Sequence, residues 1–129
     1  MPQDPEDLLA DWQWRVQRQT EATHDLSRRM QQVSGSAESR DGDVVVTVDH
    51  AGGLSSLTLT DEAMRLAPQE LAQLIMATSR RAQARLSEEM GELVKGMFGS
   101  DSDTTSFITG TYADQFPAQP SDPREERDW

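Results

Sequence analysis

The chain has no cysteine, which excludes a disulfide framework and a thiolate metal site. It has two histidines, His24 and His50, and neither has a partner at the four-residue helical spacing that a metal pair uses. His50 follows Asp49 at the end of a strand-like segment and reads as a turn residue. No apolar stretch approaches the roughly 20 residues a membrane helix needs. The opening Met1-Pro2-Gln3-Asp4-Pro5-Glu6-Asp7 is acidic and lacks the basic and apolar regions of a signal peptide. There is no GxxxxGK(S/T) or GxGxxG phosphate-binding loop, and the serines lack a nucleophile elbow. These absences argue against an enzyme. They lead us to expect a soluble, cytoplasmic protein with no cofactor, no metal and no membrane partner.

What is present begins with Asp43-Val44-Val45-Val46-Thr47-Val48-Asp49. So dense a β-branched run disfavours helix and suits a pleated surface. Asp41-Gly42 before it is a hairpin turn signal, and Gly52-Gly53 follows it. Ser36 to Arg40 is expected to form a polar first strand. Leu54 to Thr60, where Leu57 and Leu59 alternate with threonines, is expected to form the third. The three read as an antiparallel meander, and Asp61 to Arg65 as a short helical turn.

Helical patterns flank the meander. The first helix is expected to start near Asp4 and to be stopped by Ser34-Gly35. Leu9, Trp12, Val16, Leu26, Met30 and Val33, with Gln19 and Thr23 filling in, follow an a/d heptad pattern. Such a helix is roughly 40 Å long, too long for one short sheet to cover, so part of its stripe must meet another helix. Trp14 faces away from that stripe. The last helix is expected from about Pro68 to Phe98, with Leu71, Leu74, Ile75, Thr78, Ala82, Leu86, Met90, Leu93 and Met97 on one face. The methionines read as adaptable packing. Residues 1–98 thus form one domain. Residues 99–129 carry seven acids and two arginines of a chain whose net charge is −11, with prolines at 117, 120 and 123. They read as a disordered acidic tail. Its four aromatics, Phe107, Tyr112, Phe116 and Trp129, could serve a protein partner.

This order resembles the YbaB/EbfC family of bacterial nucleoid-associated proteins. The residues that carry the resemblance are Met30-Gln31-Gln32-Val33-Ser34-Gly35, Gly42 to Val48, and Gly53-Leu54-Ser55-Ser56-Leu57-Thr58-Leu59-Thr60 leading into a helix. It covers roughly residues 5–98. It implies an α+β fold of long helix, three-stranded antiparallel meander and long helix. It also implies a homodimer whose long helices project like tweezers and bind DNA with little sequence specificity. Proteins of this kind also occur as accessory components linked to type VII secretion. The alternative is therefore a protein-interaction subunit with little DNA binding.

DNA binding needs cations free to meet phosphates. Arg15, Arg18 and Arg29 share one face of the first helix, but Asp11 and Asp25 stand four residues before Arg15 and Arg29, the favourable ion-pair order. On the last helix Arg80 has no acid three or four residues away. Arg81 and Arg85 repel each other at four-residue spacing unless an anion intervenes, and only Arg85 has Glu88 and Glu89 in reach. Arg80, Arg81 and Arg85 are therefore the leading phosphate-contact candidates, with Arg15, Arg18 and Arg29 behind them. Trp12, Val16, Val44, Val46, Val48, Leu57, Leu59 and Leu86 are the expected core or dimer contacts.

Overall fold

The computed structural model describes residues 5–119. The expected helix start at Asp4 and the tail from residue 120 onward lie outside the described residues. Helix α1 spans Pro5–Met30. Three antiparallel strands follow: β1 (Gly35–Glu38), β2 (Val44–Val48) and β3 (Leu54–Leu59), in the order β1-β2-β3. A single 3-10 turn at Ala63–Arg65 leads to helix α2 (Pro68–Phe98), and a further helix α3 covers Asp103–Gln115. The helix–meander–helix order is the expected one, and α2 has the expected limits.

The core forms where β2 meets α2. Side chains alternate across a strand, so Val44, Val46 and Val48 point to one face and are fully buried. Leu74, Thr78, Ala82, Leu86 and Met90, spaced by four along α2, cover that face. Met30 and Val33 close one end of it, and Leu59 packs at its edge. Gly42 and Gly52 turn the two hairpins at φ 75° and 87°, which favours glycine. Asp49 Oδ1 accepts hydrogen bonds from the backbone N–H groups of Ala51 and Gly53 at 2.9 and 3.1 Å, fixing the second turn.

Two expectations about termini need correction. Gly35 does not stop α1. That helix ends at Met30, and Gly35 opens β1 with no positive φ. A Cβ at Gly35 would strike the Ala82 carbonyl oxygen and lie 2.6 Å from the Leu86 N, so glycine here serves close approach of β1 to α2. The second correction concerns the segment after Gly99, expected to be disordered. Gly99 does end α2, at φ 86°, but residues 103–115 are helical. Ser102 caps α3 by accepting from the Thr104 N–H at 3.1 Å. Thr105 Oγ1 donates to the Gly99 carbonyl at 2.6 Å. Tyr112 and Phe116, one turn apart with ring centroids at 6.1 Å, fasten the helix to the β2–β3 turn. The Tyr112 hydroxyl donates to the His50 carbonyl at 3.1 Å, and Phe116 packs onto Gly52. The acidic, proline-punctuated composition concealed this pair of aromatic anchors.

The fold leaves other apolar groups uncovered. Along α1, Trp12 is 59% exposed and Val16 43%, and on β3 Leu57 is 43% exposed. All three lie outside the core of the single chain. Among the residues of α1 whose burial is described, Leu26, near the C-terminal end, is the buried one. Among the described residues no helix is long and apolar enough to cross a membrane.

Candidate nucleic-acid interface

Arg80, Arg81 and Arg85 project from the middle of α2, the element that the core fixes most firmly. At 100° per residue Arg80 points about 160° away from Ala82, on the face opposite the sheet. Its side chain is exposed and has no ion pair among the described residues. Arg81 and Arg85 lie about 40° apart on the flank of α2 that faces β1. The structure therefore brings these two together and leaves Arg80 outside their group.

Arg81 is half-buried, and its Nη2 donates to the Glu38 carbonyl of edge strand β1 at 2.7 Å. Its Nε is buried without a hydrogen-bond partner. The guanidinium thus ties helix to strand through a neutral acceptor, so its charge is not offset in that bond. Arg85 is exposed, and Glu88 Oε2 approaches it only to 4.0 Å. Such an exposed pair is worth little. Between β1 and α2 the two arginines line a cleft of about 440 Å³, with Ser36, Glu38, Glu88 and Gln119 among the other residues at its walls.

The α1 arginines are differently placed. Arg28 and Arg29 both pair with Asp25, at 3.0 and 3.1 Å. Both pairs follow helical spacing, Asp25–Arg28 at three residues and Asp25–Arg29 at four. Arg15 Nε donates to the Asp11 carbonyl at 3.4 Å, and the Arg18 guanidinium lies 4.8 Å from the centroid of the Trp14 ring. That cation–π contact gives Trp14 a surface role apart from the apolar stripe. These four arginines have local partners that any phosphate would have to displace or share.

Sequence reasoning missed two features of the cleft: the Arg81 tie to β1 and the presence of Gln119. Neither leaves a local signal, because both join residues far apart in the chain. Burial raises the Tyr112 hydroxyl above its ordinary value of 10.0. Among the described residues no group of three or more histidine, cysteine or acidic side chains could hold a metal.

No curated protein and no solved structure shows a significant match to the chain. The profile of the YbaB/EbfC DNA-binding family matches residues 7–101, which takes in α1 from its third residue, the whole meander and α2 but stops before α3. With the helix–meander–helix order and an arginine-bearing α2 inside the matched span, this chain belongs to the YbaB/EbfC DNA-binding family.

Proposed function

We propose that the protein is a homodimeric, nucleoid-associated DNA-binding protein of the cytoplasm that contacts duplex DNA through backbone phosphates with low sequence specificity. Family membership supports DNA as the partner. The observation that carries the residue-level reading is the state of the α2 cations. Arg80 has no ion pair among the described residues, Arg81 donates to a neutral carbonyl, and Arg85 has only a 4.0 Å carboxylate contact. Arg80 and Arg85 are free to meet separate phosphates, and Arg81 adds field from its fixed position. Contacts of this kind position a duplex without reading its bases. No aromatic is interleaved with these arginines, so stacking on unpaired bases is not part of the reading.

The dimer is supported by the apolar surface a single chain leaves open: Leu9, Trp12 and Val16 on α1, and Leu54 and Leu57 on β3. Pairing would also present the arginines twice, which strengthens a weak patch through effective concentration. A mobility-shift titration of the full-length protein tests the DNA reading. At low salt, duplexes of unrelated sequence should shift with similar affinity. Absence of a shift would refute it.

A second reading has its own support. Helix α3 lies beyond the family-matched span and leaves Phe107 74% exposed. A protein partner reached through residues 99–129 would use such a residue as an anchor.

A further inference from the structure

The cleft between β1 and α2 is lined at one end by Ala118 and Gln119, the last residues before the segment 120–129. Helix α3 is what brings them there. Its Tyr112 bond to His50 and the seat of Phe116 on Gly52 direct the chain that follows back toward β1 and α2. From Gln119 the remaining ten residues can reach roughly 33 Å when extended. Their sequence is Pro-Ser-Asp-Pro-Arg-Glu-Glu-Arg-Asp-Trp, with acids at 122, 125, 126 and 128 and arginines at 124 and 127. The cleft offers the opposite signs: Arg81 and Arg85, with Glu38 and Glu88 beside them.

We infer that residues 120–129 dock in this cleft on their own chain, so that their carboxylates sit against Arg85 in place of phosphate, within the field of the fixed Arg81. The tether keeps the segment at high effective concentration next to its site. Docking then makes the C-terminal segment an internal competitor of DNA. A segment that fills the cleft two-thirds of the time would weaken apparent DNA affinity by at most about threefold, since Arg80 lies outside the cleft. The competition rests on the proposed DNA contact at Arg85, whereas the docking does not depend on it.

The absence of cysteine allows a single nitroxide at the C-terminus through Trp129→Cys. In ¹⁵N-labelled full-length protein diluted into unlabelled, untagged protein, the nitroxide should broaden amides of residues 36–38 and 81–88. A tail neutralised by Asp122→Asn, Glu125→Gln, Glu126→Gln and Asp128→Asn should show that broadening clearly weakened, to what a free ten-residue tether gives. Duplex DNA should relieve it in the native tail. Equal broadening with native and neutralised tails overturns the docking, as does broadening that requires the tag on a neighbouring chain. If DNA binds without relieving the broadening, the competition is overturned. Docking with no DNA binding at all would instead refute the phosphate-contact reading and leave the docking intact.

Discussion

A methyl group at position 35 would sit inside the backbone of α2. Gly35→Ala should therefore destabilise the protein by about 1–3 kcal/mol, the usual range for overpacking, measured by denaturant unfolding. Leu86, fully buried beneath β2, should cost about 2–5 kcal/mol of stability on truncation to alanine. The sequence marks Leu86 as a core residue through its four-residue spacing. It also marks Gly35, but for another reason. A glycine after a helical pattern suggests a stop, and nothing nearby in the sequence reveals that the backbone of Ala82 is its true neighbour. Tyr112 yields a pH dependence. Burial raises its native pKa above the unfolded value of 10.0, so the native state holds that proton more tightly. The stabilisation is fully present below pH 10 and is lost as pH rises through the native pKa. Tyr112→Phe should remove this alkaline loss, as read from unfolding curves on either side of that value.

Among the elements, α1 and α3 are attached in contrasting ways. Helix α1 is held at its C-terminal end by Leu26, Met30 and Val33, while Leu9, Trp12 and Val16 stay uncovered. A charge in that stripe should leave the single-chain fold intact and weaken association. Val16→Asp is expected to lower the mass seen by light scattering at micromolar concentration while the circular dichroism of the core is kept. Helix α3 is held through Tyr112 and Phe116. Phe116→Ala should loosen it, seen as faster amide exchange across residues 103–115 with little change in β2. The two helices also differ in legibility. A long periodic stripe announces α1 and α2, and Pro68 and Gly99 mark the limits of α2. In α3 no stripe of comparable strength exists. Two aromatics and a serine cap hold a short helix whose surrounding acids and prolines resemble those of unstructured chain. Its order depends on a seat at Gly52, on a distant turn.

Across the whole molecule, charge is segregated. Much of the −11 lies after Gly99, while residues 61–98 are near neutral and carry Arg80, Arg81 and Arg85. A low overall isoelectric point is thus compatible with a local cationic surface. The sequence makes the three arginines visible as candidates through the missing acids at helical spacing from Arg80 and Arg81 and through the four-residue repulsion between Arg81 and Arg85. It does not show that they divide between an outward face and the β1 cleft, because that depends on where the sheet packs. We propose that this surface binds DNA phosphates. The most direct measurement is duplex affinity as a function of salt, by fluorescence anisotropy, for the native protein and for Arg80→Ala/Arg85→Ala. We expect native affinity to fall steeply with salt. The slope of log affinity against log salt should shrink in the variant by about 0.9 for each phosphate it no longer neutralises. Equal affinity and equal slope for the two proteins would contradict the claim.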